Sequence, residues 1–268
     1  MRSGPPRARA GEVYPAPPRP PETPSSLLAA DAQLVAIGKA AGVSLATPRR
    51  APGVAVERLL ASLPQGERER LGDGPFWLVH RLDVTTSGVV LLARDAGTHR
   101  ALTAAFSERR VGKVYLAVVW GHPRPRVGEW RQALGPDRND RRRMRVDAQG
   151  RPARTAYRVL AVAAHVALVA LAPRTGRTHQ LRVHLAAAGH PIVGDDLYGG
   201  PRHHGVRDRT LRELLDAGRT LLHAWRLALP APPLPAPVAL EAPPPADMLR
   251  VVAGCGWAGI LATPPDFW

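Results

Sequence analysis

The sequence contains very little cysteine and very little lysine. Cys255 is its only cysteine, which excludes an intrachain disulfide and any zinc site built from several thiolates. Lysine occurs only at Lys39 and Lys113, so arginine supplies nearly all of the 37 basic side chains. The scarcity of cysteine favours a reducing compartment, and the cytoplasm is the expected location.

Long apolar runs are also missing. None reaches the roughly 18 residues that a membrane-spanning helix needs, and residues 1–24 are basic and Pro-rich without the apolar centre of a signal peptide. Acidic residues number 22, which leaves a formal net charge of +15. A GC-rich genome would explain the arginine excess, but arginine still binds phosphate bidentately. A nucleic acid is therefore the expected partner, and a membrane is not.

The chain has enough apolar material for one core, since 45% of its residues are hydrophobic. Proline content sets residues 1–24 apart as a leader without regular structure, and the main domain is expected to begin near Ser25. In the main domain, residues 25–47 predict a strand with a turn at Gly38 and a loop at Gly42. Residues 54–64 predict a short helix.

Strands and helices alternate in the next part of the sequence. Residues 88–93 and 114–120 predict strands that flank a helix, and residues 128–169 predict hairpins. The segment "VALVALAPRTGRTHQLRVHLAAAG" predicts a strand, a turn at Gly176 and a short helix that ends at Gly189.

An aspartate interrupts good strand material in "VHRLDVTTSGVVLLARD", residues 79–95. Arg81 and Asp83 are followed by small hydroxyl residues before the apolar run resumes, which indicates a short loop between two buried segments. Loops on rigid scaffolds often carry the chemistry of a protein. Taken alone, Asp83 is also typical of a helix N-cap.

Two further stretches accompany this loop: "KVYLAVVWG", which contains Tyr115, and "GRTHQLRVHLAAAGHPIVGDDLYG", which contains Arg182. In this order and spacing, the three stretches resemble the RluA-type branch of the pseudouridine synthases, enzymes that isomerise uridine to pseudouridine in structured RNA. The resemblance covers roughly residues 27–248, so it implies a main domain of residues 25–248 and an extension of unknown role at residues 249–268. It rests on the patterns H-R-L-D-x-x-T-S-G and G-R-T-H-Q-L-R-V-H.

The resemblance implies an α+β fold with a mixed, largely antiparallel central sheet, flanking helices and a cleft across the sheet. It implies an isomerase without cofactor or metal, in which Asp83 is the catalytic aspartate and Arg81 enters the RNA helix as the target base flips out. Tyr115 would pack on the uracil, and Arg182 would pair with Asp83. Arg177 and His179, in the same motif as Arg182, are expected to contact the RNA.

The required chemistry agrees with these roles. A single carboxylate can act as nucleophile or base at an anomeric carbon, and a neighbouring guanidinium favours its ionised form. Extruding a stacked base costs a few kcal/mol, which an aromatic platform offsets by roughly 1–3 kcal/mol. Taken alone, however, Tyr115 is typical of a core aromatic residue, and Arg182 of a solvated helix face.

Three other features permit more than one interpretation. His179 and His184 are five residues apart, a spacing that splays the rings and disfavours zinc. The run "DRRRMR" is either a solvated charge run or a phosphate-binding loop, with the contacts made by Arg141, Arg142 and Arg143. The adjacent pair Asp195 and Asp196 indicates a structural turn.

The function expected from the sequence is therefore isomerisation of uridines in a stem-loop of ribosomal or transfer RNA by a monomeric enzyme. Two alternatives remain. One is a catalytically silent RNA-binding or ribosome-assembly protein on the same scaffold. The other is a nucleoside hydrolase, which normally needs a second carboxylate or a metal to activate water.

Overall fold

A computed structural model of the chain describes residues 23–47, 51, 53–200 and 202–262. Nearly all of the predicted leader lies outside these residues. The strands are β1 (Ser26–Ala30), β2 (Leu34–Lys39), β3 (Trp77–Leu78), β4 (Ser87–Ala93), β5 (Gly112–Trp120), β6 (Val127–Trp130), β7 (Leu134–Pro136), β8 (Met144–Val146), β9 (Thr155–Val162), β10 (Val166–Pro173), β11 (Leu222–Leu229) and β12 (Val238–Glu241). The α-helices are α1 (Val54–Ala61), α2 (Gln65–Leu71), α3 (Ala96–Ser107), α4 (Gln180–Ala187), α5 (Arg209–Leu215) and α6 (Ala246–Gly254).

One large mixed sheet organises the fold. Its order is β1-β2-β4-β11-β5-β10-β9-β6, with β3 also pairing with β4 and β12 with β11. Among the described strands, only the β4–β11 pairing is parallel, and it is short, with His223 opposite Ser87 and Ala224 opposite Gly88. The predicted class, a mixed and largely antiparallel sheet flanked by helices, is confirmed.

The apolar runs of the sequence form the central strands. Every residue of β4 and of β10 is buried, as expected for strands covered on both faces. Gly88 is required at the parallel junction because a Cβ there would lie 2.2 Å from the backbone oxygen of Ala224. This close approach brings the beginning of β4 to the middle of the sheet, beside β11 and β5.

The turn predicted at Gly38 was wrong. Residues 26–39 form a hairpin whose turn is at Asp31, where the carboxylate accepts hydrogen bonds of 2.7 Å from the backbone N–H groups of Gln33 and Leu34. Gly38 lies inside β2, opposite Ser26 and Val89. A Cβ on Gly38 would come within 2.9 Å of the Ser26 hydroxyl, so this glycine serves close strand packing rather than a turn.

The helix α6 crosses residue 248, where the family resemblance implies the end of the main domain. Met248, Val251 and Val252 are buried in the same core cluster as residues of β5 and β10, and Trp257 joins them. The suggested boundary therefore does not coincide with a break in packing. No helix in the described ranges is long and apolar enough to cross a membrane.

Candidate active site

A cleft of about 300 Å³ opens beside the loop between β3 and β4. The predicted site residues Arg81, Asp83, Tyr115, Arg177, His179 and Arg182 all line it. The loop closes as a tight turn, because the Thr86 N–H donates to the Asp83 carbonyl at 3.1 Å. The side chain of Asp83 remains 21% exposed and is accessible from the cleft.

The arginine run of the sequence is divided. Arg141 and Arg142 are exposed in the turn between β7 and β8, and Arg142 forms a 2.8 Å ion pair with Asp140. Arg143 turns inward and places its guanidinium 5.3 Å from the centre of the Tyr198 ring. Arg141 and Arg142 are thus exposed, whereas Arg143 packs against Tyr198, and phosphate binding by the run stays a prediction.

Arg182 lies beside Asp83, but its strongest partner is Asp195. The Arg182 Nη1 to Asp83 Oδ2 distance is 3.5 Å, whereas Nε and Nη2 each donate to an Asp195 oxygen at 2.7 Å. Burial alone would lower the pKa of Arg182, but the hydrogen bonds and charge of Asp195 outweigh it and raise that pKa. This bidentate pair fixes the guanidinium so that one N–H edge faces the Asp83 carboxylate.

Asp195 is the principal site residue that sequence reasoning missed. It is fully buried, and its Oδ1 also accepts hydrogen bonds from the backbone N–H groups of Leu197 and Tyr198. The turn expected at this position is present, but the carboxylate that organises the turn also holds Arg182. A buried guanidinium needs a carboxylate partner, and this requirement could have pointed to Asp195. It could be applied only once Arg182 was known to be buried.

His179 joins Asp83 to a second missed residue, Tyr198. Its Nδ1 lies 2.8 Å from the Tyr198 hydroxyl and its Nε2 lies 3.8 Å from Asp83 Oδ2. Burial, with Arg182 and Arg81, lowers the pKa of His179 despite the nearby carboxylates, so the ring is neutral at neutral pH. The backbone of His179 is left-handed at φ 54°, a costly conformation for a residue with a side chain that persists where surrounding structure imposes it.

Tyr198 ties the β7–β8 turn to α4. Its ring has the guanidinium of Arg182 at 5.0 Å and that of Arg143 at 5.3 Å, and its hydroxyl accepts a 2.8 Å hydrogen bond from the Met144 N–H. Cation–π contacts of this kind contribute about 0.5–2 kcal/mol each. Tyr198 therefore orients both Arg182 and His179.

Tyr115 projects from β5 into the cleft and is partly buried. Burial raises the pKa of its hydroxyl, and the charge of Asp83 raises it further. The phenol is accordingly neutral, which suits an aromatic platform rather than a base.

Two basic side chains, Lys39 and Arg219, contact the loop that carries Asp83 on the side away from the cleft. The buried Lys39 donates from Nζ to the carbonyls of Ala40, Val43 and Val84 at 2.8, 3.1 and 3.3 Å. Burial, with Arg219 nearby, lowers the pKa of Lys39 to about 7.

The second cation is Arg219, which donates from Nη1 to the Thr85 carbonyl at 3.4 Å. It is held by Asp247 of α6, with Nη2 to Oδ1 at 2.8 Å and a second contact through Nε. Lys39, Arg219 and Asp247 together are called the loop clamp below. Through it the C-terminal helix reaches the loop that carries Asp83.

The remaining histidines of the motif are structural. His184 lies 2.9 Å from the Thr155 hydroxyl and 3.0 Å from the Gln132 carbonyl, and His190 Nδ1 lies 3.0 Å from the Trp120 carbonyl. Over the described ranges, no three His, Cys, Asp or Glu side chains gather in a way that could hold a metal ion.

A known protein family matches the part of the chain that forms most of this cleft. Residues 33–187 match the family model described as RNA pseudouridylate synthase. The chain belongs to this family. Within the matched region lie the Asp83 loop, Tyr115 and Arg182, so the family match includes every predicted catalytic residue.

The relatives of this synthase-family chain support its RluA-type assignment. It is 43% identical over 156 residues to the dual-specificity RNA pseudouridine synthase RluA of Escherichia coli, covering 58% of this chain and 67% of that protein. It is 40% identical over 208 residues to an uncharacterized RNA pseudouridine synthase of Chloroflexus aurantiacus. That match covers 76% of this chain, which spans 61% of the Chloroflexus protein.

Solved structures of the family have the same fold. The structure of human RNA pseudouridylate synthase domain containing 4 superposes with a TM-score of 0.65 at 27% identity, covering 85% of this chain and 92% of the human one. Human RNA pseudouridylate synthase domain containing 1 gives a TM-score of 0.64 at 28% identity, with coverages of 90% and 97%. The expected family and fold are confirmed.

Proposed function

We propose that this chain isomerises uridine to pseudouridine in structured RNA, with Asp83 as the catalytic residue. The observation that carries the proposal is the position of Asp83: a partly exposed carboxylate in a cleft, faced by Arg182, whose guanidinium is itself fixed by Asp195. A carboxylate held in this way can act as nucleophile or base on a bound nucleotide.

The reaction exchanges one bond for another without net oxidation. The C1′–N1 bond breaks, the uracil rotates, a C1′–C5 bond forms, and the proton on C5 leaves while N1 gains one. Asp83 is the acid placed to stabilise C1′ or to accept the C5 proton. Tyr115 supplies an uncharged aromatic surface for the uracil, and stacking offsets roughly 1–3 kcal/mol of the cost of base flipping.

Arg81 and Arg177 are the proposed RNA contacts at the rim of the cleft. Arg81 is exposed and lies two residues before Asp83, which suits a side chain that replaces the flipped base. Arg177 lines the same cleft beside His179. In the β7–β8 turn, the exposed Arg141 and Arg142 are the proposed phosphate contacts. Arg143 instead packs against the Tyr198 ring, which in turn contacts Arg182.

The RNA is proposed to be a stem-loop of ribosomal or transfer RNA, because sequence-specific readers favour loops whose bases can be splayed out. A relative named as a dual-specificity RNA pseudouridine synthase supports more than one RNA as substrate. We also propose that the protein acts as a monomer in the cytoplasm, since one chain supplies every residue of the site.

The alternatives make different demands on the site. A hydrolase would need a second acid to activate water, and the nearest candidate, Asp195, is fully buried and bonded through both oxygens to Arg182. A silent RNA-binding protein would have no need for the Asp83, Tyr115 and Arg182 arrangement. Both alternatives are therefore disfavoured.

The test uses RNA from cells that lack the protein, labelled with tritium at C5 of uracil. The wild-type protein should release tritium and leave the RNA chain intact, whereas Asp83→Asn should bind RNA within severalfold of wild type and release none. Asp73→Asn, a change of an exposed aspartate outside the cleft, is the matched control and should release tritium normally.

Each other outcome identifies an alternative. Free uracil would indicate a hydrolase, and RNA binding without release of tritium by the wild type would indicate a silent binder. Turnover by Asp83→Asn would refute the catalytic assignment. A pseudouridine map of cellular RNA with and without the protein then names the substrate.

A further inference from the structure

A second cleft, the basic groove, adjoins the active site. It has a volume of about 260 Å³ and is lined by four basic side chains: Arg109, Arg110, Lys113 and Arg174. It shares Lys113 and Pro173 with the active-site cleft, so the two cavities lie side by side with these residues between them. Among the described residues that line it there is no acidic one.

The fold assembles the groove at one end of three central strands. After α3, the chain turns through Arg109, which has a left-handed backbone at φ 63°, and the Arg110 N–H donates to the Ala105 carbonyl at 2.9 Å. This turn delivers both arginines shortly before β5 begins. Arg174 follows the last residue of β10, and the end of β11 forms the remaining wall.

The electrostatics of the groove are typical of an anion-binding site. Burial and the charge of Arg109 lower the pKa of Lys113. Burial, followed by the charges of Arg151 and Arg109, lowers the pKa of Arg177 at the rim of the active site. Arg109 therefore repels both Lys113 and Arg177, and a bound polyanion would relieve that repulsion.

The arginines of the groove are also accessible. Arg109, Arg110 and Arg174 are all exposed. Arg110 pairs with Glu108 at 2.8 Å and donates to the Pro232 carbonyl at 3.0 Å, which turns part of its guanidinium away from the groove. Arg109 precedes β5 and Arg174 follows β10, so these two line the groove from different segments of the chain and can bracket a backbone.

We propose that the basic groove binds the sugar–phosphate backbone of the RNA strand that flanks the flipped uridine. The strand leaves the active-site cleft, passes Lys113 and lies between Arg109 and Arg174. The identity of the RNA in this inference rests on the proposed function, whereas the positive charge of the groove comes from its own lining residues. The inference assigns substrate binding to Arg109 and Arg174, which lie outside the stretches that carry the family resemblance.

The test compares the salt dependence of RNA binding in two double variants of equal charge change. The probe is a short RNA hairpin with uridines in its loop, and binding is measured in the Asp83→Asn background to prevent turnover. In Arg109→Gln/Arg174→Gln, the slope of log affinity against log salt should fall by about 0.7 for each phosphate that is no longer neutralised. In Arg68→Gln/Arg70→Gln, which alters exposed arginines of α2 near the edge strand β1, it should not change.

Two further measurements separate the possible causes. Arg109→Lys/Arg174→Lys keeps the charges and should retain most of the slope. With Asp83 intact, Arg109→Gln/Arg174→Gln should raise the KM for tritium release by a larger factor than it lowers kcat, because the groove contacts the RNA backbone and not the reacting atoms.

An unchanged slope, or an equal decrease in the α2 control, would overturn the proposal even if the wild type releases tritium. Conversely, the expected decrease of slope in a protein that releases no tritium would support the groove and refute the proposed function. The two proposals can thus fail independently.

Discussion

Replacing Asp195 by asparagine tests the central geometric claim about the site, that a buried carboxylate outside the catalytic loop controls Arg182. Asparagine keeps the shape of the side chain and one oxygen acceptor but removes the charge. Arg182 would remain buried with Asp83 as its nearest carboxylate. We therefore expect the guanidinium to move toward Asp83 and to occupy the space that the substrate needs.

The magnitude follows from burial and hydrogen bonding. Arg182 is 6% exposed and Asp195 is 0% exposed, and two bonds of 2.7 Å join them. Removing one partner of a buried ion pair costs about 3–5 kcal/mol. Because asparagine can still accept from the N–H groups of Leu197 and Tyr198, we expect the lower end, about 3 kcal/mol, or about 6–12 °C in Tm for a chain of this size.

The matched control is Asp196→Asn, one residue away. Asp196 is exposed, and such a change alters the free energy of unfolding by no more than about 0.5 kcal/mol. Urea unfolding measures stability, and single-turnover release of tritium from C5-labelled RNA measures chemistry. Asp195→Asn should slow release more than about tenfold, equivalent to about 1.4 kcal/mol. Equal stabilities and rates for the two variants would refute the reasoning.

Three other changes test the strand junction, the loop clamp and a buried histidine. Gly88→Ala places a Cβ 2.2 Å from a backbone oxygen and should prevent stable folding, whereas Gly176→Ala meets nothing within 4 Å and should leave urea unfolding unchanged. Asp247→Asn should loosen the loop clamp and slow single-turnover release severalfold with unchanged RNA affinity; an unaffected rate would show that the clamp is dispensable. Burial lowers the pKa of His223 from 6.5 to about 4. Because the folded protein binds the His223 proton less readily than the unfolded chain does, this contribution to stability is complete above pH 6.5 and is lost as the pH falls toward 4. The free energy of unfolding should therefore decrease by on the order of 3 kcal/mol between pH 6.5 and 4. In His223→Gln the decrease should be smaller.

Much of the fold could be predicted from local pattern. The apolar run of β10 and the helix α4 that follows it lie where periodicity placed them, because a fully buried strand requires continuous Val, Leu and Ala. The turn at Gly38 failed because glycine serves both turns and close strand contacts, and only the partner strand distinguishes these uses. Asp31, whose carboxylate makes the real turn, was the better signal.

The residue types that line the cleft follow from the sequence: one carboxylate in the "HRLD" loop, an aromatic residue in a strand and an arginine in a helix, spaced as in a known family. How these groups are held in place depends on long-range contacts. Asp195 and Asp196 are identical neighbours in the sequence, yet one is fully buried against Arg182 and the other is exposed. Asp195 points inward because the turn directs its side chain toward Arg182, and because a buried guanidinium needs a carboxylate. Both causes depend on contacts between residues that are not neighbours in the sequence.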